Sequence, residues 1–582
     1  MRLNVKALEK IQGNDLMQGV LKLVFTSRYG KTLLLRDFNA AIIVTLMLIP
    51  QSLAYALVAG LPPEAGLYAS ILPLIAYALF GTSAALAVGP VAIVSLLTAN
   101  TLMPMATLGS PEYVQLALLL AMLVGFFYLI MGVFRLGFIT QLLSYPVMKG
   151  FITASSLLII VGQIKPLTGI SMVRGNLFER LHSLDFTTLH GLSALMGGLA
   201  LVILFWVRSQ GGAALFQTLF GAYSATLRRL LPMLLILIAA LVTAGFGLQD
   251  QGMATVGKLP QGLPSLSLPS FDWSLIAQLA LPAFIITMIG MAESIAVAQT
   301  LGAVKRQRVN PNRELLGLGA ANIAAGFSGG FPVTGGMARS VVNADAGAET
   351  PLAGAMTAVL LSLGILFLTP WLSYIPIPVL AATIIVAVSQ LLEFPSMLKL
   401  LGMNRIDGLI SWLTAALVLF WEVEAGLLVG VAASIVWLLA NHRQPYLAEL
   451  GLIPDTERFK NINHAQTQTL EHCLFVRIDE SITFINASVL EQSLLAKVAD
   501  HKGLSNLIIV ASGIHNIDAT GAHMLTRFSQ EMATAGLNLY LTDVKVPLAK
   551  QFANFKLFAD NPDGIGYSSI DLYRKLAAEQ QD

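Results

Sequence analysis

Apolar runs long enough to cross a lipid bilayer, or nearly so, recur from Phe38 to Ala440 and then stop. A membrane-spanning helix needs about 20 mostly apolar residues, and by that criterion we predict about fourteen spans. The mean hydropathy of +0.73 agrees, because the contribution of one anchor would be diluted by the rest of the chain. The predicted spans are residues 40–59, 64–80, 89–102, 115–134, 144–161, 190–207, 230–247, 275–300, 314–328, 333–345, 350–370, 376–392, 406–419 and 422–440.

Composition narrows the classes of function. Of 582 residues, 55% are hydrophobic and 12% are charged, whereas about a quarter of the residues in soluble domains are charged. The formal net charge of +2 gives no reason to expect a nucleic-acid partner, and the single cysteine, Cys473, excludes an internal disulfide. The sequence shows no nucleophile–base set, metal-ligand spacing or phosphate-binding loop, so we expect neither an enzyme nor a bound metal or cofactor.

Basic residues between the spans predict their orientation. An even number of spans returns the chain to the side of the membrane on which it started. Most basic residues between the spans then lie on that same side. This predicts a multi-pass protein of the cell (inner) membrane with both termini cytoplasmic. Lys165, Arg174 and Arg180, in a predicted outside loop, count against this orientation. The predicted domains are a cytoplasmic N-terminal segment (1–37), a membrane domain (38–440) and a cytoplasmic C-terminal domain with its linker (441–582). The basic residues on the predicted inside are Arg28, Lys31, Arg36, Arg208, Arg228, Arg229, Lys305, Arg306, Arg308 and Arg313.

Two of the predicted spans are too short to cross a bilayer as helices, and both follow helix-breaking residues. The third begins at Gly89-Pro90, and the tenth follows Gly329-Gly330-Phe331-Pro332. Taken alone, Gly89-Pro90 could be a simple helix kink. The separation of the two short spans by seven predicts instead two inverted repeats of seven spans, each with a half-helix. The N-terminus of a half-helix presents free N–H groups and partial positive charge, so two that face each other form a site for an anion.

Two charged side chains are predicted at membrane depth near this site. Arg339 lies about one turn into the tenth span, and the alternative to anion binding is a snorkelling or helix-pairing arginine. Gly335 and Gly336 would let a ligand approach the backbone closely. Glu293 lies in the middle of the eighth span, where a carboxylate must be protonated or face a cation or water. Either state suits proton coupling, and the alternative is a structural partner of Arg339 or of backbone amides.

Three long segments carry a family resemblance: "LIPQSLAYALVAGLPPEAGLYASILPLIAYALFGTS", "VGPVAIVSLL" and "NRELLGLGAANIAAGFSGGFPVTGGMARSVVNADAGAETPLAG". In this order they resemble the sulfate permease (SulP) anion transporters, relatives of prestin and pendrin. The resemblance implies an all-α membrane fold of fourteen spans in a seven-plus-seven inverted repeat. It further implies a core domain of spans 1–4 and 8–11, a gate domain of spans 5–7 and 12–14, an elevator-like motion and a homodimer.

The resemblance also implies an anion pocket formed by the first span and the starts of the two half-helices. The expected substrate-binding residues are Gln51, Tyr55, Val91, Ala92, Gly336, Met337, Ala338 and Arg339. Gln51 and Tyr55 are four residues apart, so they share a helix face and can donate hydrogen bonds to an anion. Ala338 departs from the family pattern, which often has serine there, and leaves only the backbone N–H. The identity of the anion therefore stays open among sulfate, bicarbonate and dicarboxylates such as succinate or fumarate.

Beyond Ala440 the pattern changes to that of a small α/β domain. From about residue 471, short apolar strands ("CLFVRI", "LSNLIIVAS", "LNLYLTD") alternate with helical patterns at 487–498 and 519–535. The turn "NIDATGAHML" resembles that of STAS domains, in which the hydroxyl, here Thr520, can be phosphorylated, and such a domain can bind a cytoplasmic protein. The alternative is that Asp518 or Thr520 only caps the following helix.

Together these features predict a secondary active transporter of a small anion, sulfate-like or dicarboxylate. Glu293 matches the carboxylate of family members that resemble proton-coupled sulfate symporters, which favours the proton as coupling ion. The alternatives are an exchanger of bicarbonate or chloride, an anion channel or voltage-driven motor, and a membrane sensor that signals through the STAS domain. A buried proton acceptor argues against a passive pore, and a complete pocket argues against a sensor. The expected partners are the anion, the proton and the lipid bilayer.

Overall fold

The computed structural model describes residues 30–173, 175–221, 224–260, 262–555, 564–566 and 568–580. The predicted N-terminal segment is therefore described only from residue 30, and Arg28 and Arg174 lie outside the described residues. The chain divides into two compact units, Met1–Ala432 and Ala433–Asp582.

Helices occupy all the predicted spans of the membrane domain. Nine helical segments in the described residues are long and apolar enough to cross a membrane, judged by length and composition. The helices that coincide with predicted spans, numbered with the shorter helices between them, are α1 (Lys31–Val58), α2 (Pro63–Tyr68), α3 (Leu72–Phe80), α4 (Ala92–Leu102), α5 (Pro111–Val133), α6 (Tyr145–Gly162), α9 (Gly191–Arg208), α11 (Ser224–Gly245), α12 (Trp273–Val304), α13 (Pro311–Phe327), α14 (Met337–Asp345), α15 (Leu352–Leu372), α16 (Ile377–Val388), α18 (Arg405–Phe420) and α19 (Val423–His442).

Some local features of the membrane domain were not predicted. The second span is split into α2 and α3, because Pro73 in the first turn of α3 has no N–H to continue a helix from α2. Four short helices lie in the connections: α7 (Ile164–Thr168), α8 (Leu177–His182), α10 (Gln210–Phe220) and α17 (Phe394–Met403). Arg180, on α8, is buried and donates from Nη1 to the Leu158 carbonyl at 2.8 Å, so this basic residue has a structural role in its loop.

Each half-helix is preceded by a very short strand. Strand β1 (Val88–Gly89) leads into α4, and β2 (Thr334–Gly335) leads into α14. The two strands pair antiparallel, with Val88 opposite Gly335 and Gly89 opposite Thr334. Because the strands occupy corresponding places in the two sets of seven spans and run in opposite directions, they bring the starts of both half-helices together, as an inverted repeat requires.

The helices of the membrane domain pack in the two groups that the family resemblance implies. Within the core group, α13 packs against α5 and α3, and α15 packs against α1. Within the gate group, α18 packs against α6, and α9 packs against α16. The contact of α5 with α13 depends on small residues, since a Cβ on Gly125 would lie 2.8 Å from the Ile323 backbone nitrogen.

The second unit contains a five-stranded sheet with the order β4-β3-β5-β6-β7. Strand β3 is antiparallel to both of its neighbours, whereas β5, β6 and β7 are parallel. The strands are β3 (Leu447–Leu452), β4 (Phe459–Asn461), β5 (Cys473–Ile478), β6 (Asn506–Val510) and β7 (Asn538–Thr542), and the helices are α20 (Ala487–Asp500), α21 (Ala519–Thr534), α22 (Val546–Asn554) and α23 (Ser569–Glu579). The three predicted strands and two predicted helices are present, whereas β3, β4, α22 and α23 were not predicted.

Strand β5 shows how this sheet acquires two apolar faces. Alternate residues of a strand point to opposite sides. Leu474 and Val476 therefore join the cluster under α20 and α21, while Phe475 joins Leu572 of α23 on the other face. A continuous apolar run such as "CLFVRI" is consequently the pattern of a strand that is covered by helices on both sides.

The turn that resembles the STAS signature forms a helix cap. Asp518 is the N-cap of α21; its Oδ1 accepts from the Gly521 N–H at 2.8 Å, and its Oδ2 accepts from the Phe484 N–H at 2.7 Å. The predicted capping by Asp518 is thus present, and it ties the loop before α20 to the start of α21. Thr520 is exposed, and its modification stays a prediction.

We expect Asp518→Ala to loosen this junction in the full-length protein. The loss of an N-cap costs about 1 kcal/mol, which corresponds to roughly fivefold more frequent local opening. Hydrogen exchange measured by mass spectrometry should therefore accelerate in peptides that contain Gly521 and Phe484. Asp518→Asn keeps an acceptor oxygen and serves as the matched control. Equal protection of the Ala variant and the parent would contradict the capping role.

Candidate functional site

A cavity of about 690 Å³ lies between the core and gate helices of the membrane domain. Its core wall is formed by α1, α12 and the starts of α4 and α14, and its gate wall by α9, α11 and α16. The structure brings every pocket residue expected from the sequence to this cavity. They are Gln51, Tyr55, Val91, Ala92, Glu293, Gly336, Met337, Ala338 and Arg339.

Arg339 is the main cation of the core wall. Its side chain is 3% exposed, and its Nη1 donates to the Pro90 carbonyl at 2.7 Å. Its Nε and Nη2 are buried and have no hydrogen-bond partner among the described residues. A buried donor without an acceptor costs about 1–3 kcal/mol, and more when it is charged. The guanidinium therefore favours an acceptor, such as an anion, at this point of the cavity.

Two glycines let the guanidinium lie against the paired strands. A Cβ on Gly89 would lie 3.2 Å from Nη2 of Arg339, and a Cβ on Gly336 would lie 3.1 Å from the same nitrogen. Both distances are tighter than ordinary van der Waals contact, so a side chain at either position would displace the guanidinium. The glycines thus set the position of the positive charge at the junction of the two half-helices.

The starts of both half-helices lack side-chain caps. Among the residues that the structure describes, no N-cap side chain accepts a hydrogen bond from the first turn of α4, whose N-cap is Val91, or of α14, whose N-cap is Gly336. The first backbone bonds within these helices run from Ser95 N to Val91 O and from Ser340 N to Gly336 O, each at 2.9 Å. The N–H groups before Ser95 and Ser340 have no acceptor within their own helices, and their partial positive charge adds to that of Arg339.

Polar side chains that the sequence reasoning missed hold β2 in place. Ser294, one residue beyond Glu293 on α12, accepts from the Gly335 N–H at 2.9 Å and contacts the Thr334 hydroxyl at 2.6 Å. On the other side, the Asn322 amide nitrogen donates to the Val333 carbonyl at 2.8 Å, and its oxygen accepts from the Val333 N–H at 2.9 Å. These bonds explain why single polar residues interrupt α12 and α13.

Ser340 and Asn343 extend this network to the first repeat. The Ser340 hydroxyl accepts from the Ala87 N–H at 2.9 Å, and the Asn343 amide donates to the Ala85 carbonyl at 3.1 Å. Both side chains project from α14 toward the segment before β1. The two half-helices are therefore joined through side chains as well as through the strand pair, and a shift of one would displace the other.

Glu293 lines the same cavity as Arg339 but is not paired with it. Within the described part of the chain, no ion pair of 4.0 Å or less joins the Glu293 carboxylate to the Arg339 guanidinium. The two charges are nevertheless close enough to interact electrostatically. A direct ion pair, one of the two structural alternatives for Glu293, is thus absent from this conformation.

Comparison with known proteins identifies the family of this chain. The model of the sulfate permease family matches residues 34–414, and that of the STAS domain matches residues 464–571. The chain belongs to the sulfate permease family. Because this is a family of membrane transporters, the family member described here is a transporter rather than an enzyme, and the predicted family, helical membrane fold and C-terminal STAS domain are confirmed.

Relatives and solved structures cover almost the whole chain. Sulfate transporter 4.1, chloroplastic, of Arabidopsis thaliana is 34% identical over 569 residues, which are 94% of this chain and 81% of the relative. A probable sulfate transporter of Mycobacterium tuberculosis (strain H37Rv) is 31% identical over 95% of this chain and 96% of its own length. The inward-facing structure of the murine anion transporter Solute Carrier 26 family member A9 superposes with a TM-score of 0.87 at 20% identity, covering 99% of this chain and 95% of that one.

The membrane domain also resembles a shorter solved structure. The transmembrane domain of a cyanobacterial bicarbonate transporter, BicA, superposes with a TM-score of 0.58 at 20% identity and covers 70% of this chain and 98% of that one. At this identity the two solved structures bear on the fold alone. No group of three or more His, Cys, Asp or Glu side chains in the described residues is arranged to hold a metal ion.

Proposed function

We propose that this sulfate permease family member is a secondary active transporter that carries a small anion through the cavity between its core and gate helices. The observation that supports this most strongly is the buried Arg339 guanidinium. Its Nε and Nη2 have no acceptor in the described part of the chain, and the helix starts at Val91 and Gly336 have no side-chain cap there. An oxyanion or carboxylate presents several oxygens to such a fork of donors, and charge-assisted bonds of this kind are about twice as strong as neutral ones.

Sulfate is the first substrate we propose, with small dicarboxylates next. The plant and mycobacterial relatives, which match 94% and 95% of this chain, are named as a sulfate transporter and a probable sulfate transporter. A divalent anion would also gain most from two helix N-termini and one arginine, because the attraction grows with the charge of the ligand. Gln51 and Tyr55 on α1 can donate to it from the neighbouring wall.

We propose an elevator-like alternating-access mechanism with Glu293 as the site of proton coupling. All the proposed anion and proton ligands lie on core helices, whereas the opposite wall of the cavity belongs to gate helices. A displacement of the core against the gate would carry Arg339, Glu293 and the anion together. We further propose that both termini face the cytoplasm of an inner membrane, in keeping with the basic residues between spans; the homodimer and Thr520 phosphorylation stay predictions.

Uptake into proteoliposomes would test the proposed function. Purified protein would be supplied with labelled sulfate, succinate, fumarate, bicarbonate or chloride, with and without an inward proton gradient. We expect saturable uptake of sulfate or a dicarboxylate that accelerates when the exterior is acidic. Uptake that does not change with external pH and requires an anion inside the vesicle would favour an exchanger. A conductance that does not saturate with anion concentration would favour a channel. Failure to move any of these anions would contradict the proposal.

A further inference from the structure

The gate wall of the cavity carries two arginines that the proposed mechanism does not use. Arg208 is the last residue of α9, and Arg228 lies on α11. Both line the cavity that contains Arg339. The sequence reasoning treated them only as indicators of orientation. We propose that Arg208 and Arg228 form a second anion-binding site, here called the gate-wall site, which holds a small soluble anion on its way to Arg339.

The two arginines differ in how they are held. Arg208 donates from Nη1 to the Val386 carbonyl of α16 at 2.5 Å, which fixes its guanidinium against the gate. The Nε of Arg228 is buried and has no hydrogen-bond partner in the described residues. Arg208 is thus a fixed cation and Arg228 a cation with an unused donor, and an anion held between them in the same cavity would stabilise both. The Gln390 side chain, which also lines this wall, can place its amide oxygen to accept from Nη2 of Arg208 at 2.7 Å, so it too holds this guanidinium in position.

The only carboxylate among the described residues that line this wall is already neutralised. Glu393 lines the cavity, and it is paired with Lys149 of α6. Lys149 in turn lies 5.2 Å from the centre of the Tyr145 ring, which holds its ammonium in place. The charges of Arg208 and Arg228 are therefore not cancelled locally, and the wall keeps a positive field inside a low-dielectric cavity.

The gate-wall site has a distinct place in the mechanism. Arg339 belongs to the core, whereas Arg208 and Arg228 belong to helices of the gate group. If the core moves and the gate does not, the gate-wall site stays at one opening of the cavity while the Arg339 site alternates. Its effect would be to concentrate anions where the core receives or releases them, which changes the apparent affinity without changing the chemistry at Arg339.

This inference rests on the proposed function, so it is tested by a measurement that does not depend on transport. Met233 lies on α11, the helix that carries Arg228, and lines the same cavity. In a Met233→Cys variant, the rates of reaction with anionic and cationic methanethiosulfonate reagents report the local potential. Cys473, the native cysteine, is buried, and burial raises the pKa of its thiol, so the parent protein gives a low background rate.

We expect Arg228→Gln to lower the ratio of anionic to cationic reaction rates at Met233→Cys by about threefold or more. Arg208→Gln should lower the ratio further, because each substitution removes a positive charge from the gate wall of the cavity. Arg228→Lys should retain most of the ratio. The matched control is Met337→Cys on the core wall of the same cavity, where the ratio should depend on Arg339 and change little with Arg228→Gln. Sulfate should slow the anionic reagent at Met233→Cys.

Two outcomes would overturn the gate-wall site. One is an unchanged ratio at Met233→Cys after Arg208 and Arg228 are both replaced by glutamine. The other is a ratio of anionic to cationic rates at Met233→Cys that does not fall as ionic strength rises. This second test uses no arginine variant, so a folding defect in such a variant cannot affect it. Slowing by phosphatidylglycerol but not by sulfate would assign the site to a lipid headgroup and also overturn the proposal. A normal ratio together with absent uptake would instead contradict only the proposed transport.

Discussion

Arg339→Ala is expected to lower the affinity for the transported anion by about tenfold to a hundredfold while leaving the protein folded. Hydrogen bonds to a charged group contribute about 1.5–3 kcal/mol, and the substitution removes both unused donors of the guanidinium. Binding should weaken rather than vanish, because the backbone N–H groups at the starts of α4 and α14 remain. Calorimetric titration of purified protein with sulfate, or with the anion that the uptake assay identifies, measures the change.

Two control variants make this prediction specific. Arg339→Lys keeps the charge but not the fork of donors, so its affinity should lie between those of the parent and the Ala variant. Arg180→Ala also removes a buried arginine that donates to a carbonyl, but Arg180 lies outside the cavity. It should lower thermal stability without changing anion affinity. If Arg339→Ala and Arg180→Ala bind the anion as the parent does, Arg339 does not face the ligand.

The long-range organisation of the membrane domain could be predicted because it depends on strong, repeated signals. Bilayer thickness fixes the length of a span, so runs such as 115–134 and 350–370 coincide closely with α5 and α15. Gly89-Pro90 and Gly329-Gly330-Phe331-Pro332 marked the half-helices, because both segments prevent a continuous helix. The starts at Ala92 and Met337 lie three and four residues later than predicted, since β1 and β2 precede them.

Local structure was harder to predict where neither bilayer thickness nor a helix-breaking segment constrains the chain. Helices α8 and α10 are too short to give a span signal, and their hydrophobic side chains are partly exposed. Strand β4 has only three residues, Phe459–Asn461, and pairs solely with β3 as the edge of the sheet. Strand length and sheet position of this kind depend on partners that are distant in sequence.

Some residues of the candidate site could likewise be predicted from the sequence, and others could not. Arg339 and Glu293 could be found because a charge at membrane depth is rare. Ser294, Asn322 and Ser340 could not, since a single hydroxyl or amide within an apolar span has the same pattern whether it bonds its own helix or another element. Ser294 and Asn322 reach the Gly335 and Val333 backbone only when α12 and α13 fold against the segment before α14. Ser340 reaches the Ala87 N–H only when the two repeats pack together.

Glu293→Gln is expected to abolish the acceleration of uptake by an acidic exterior while preserving anion binding. Glutamine has the shape and hydrogen-bonding groups of the protonated acid, so the cavity should still admit an anion and can bind it better than the parent does near neutral pH. The parent should take up the anion several-fold faster with an acidic exterior than with an alkaline one, whereas the variant should give a ratio near one. Anion-for-anion exchange should persist.

The sign of this coupling follows from the charges that share the cavity. Glu293 and Arg339, the proposed anion ligand, line the same core wall, and no ion pair of 4.0 Å or less joins them in the described residues. A negative ligand repels the ionised carboxylate, so binding of the anion favours proton binding, and by reciprocity the proton favours the anion. An acidic exterior therefore loads both together on that side, and the alkaline interior releases both.

A second buried carboxyl provides the matched control for this experiment. Glu314 on α13 is fully buried, but it lies outside the cavity and accepts from the Tyr77 hydroxyl at 2.5 Å and from the Thr82 N–H at 2.9 Å. Glu314→Gln should lower stability, because a carboxylate acceptor becomes an amide donor, yet the remaining folded protein should keep the full response to the gradient. Uptake would be measured in proteoliposomes at fixed membrane potential. A Glu293→Gln variant that responds to the proton gradient as strongly as Glu314→Gln would show that Glu293 is structural, and proton coupling through this carboxyl would have to be abandoned.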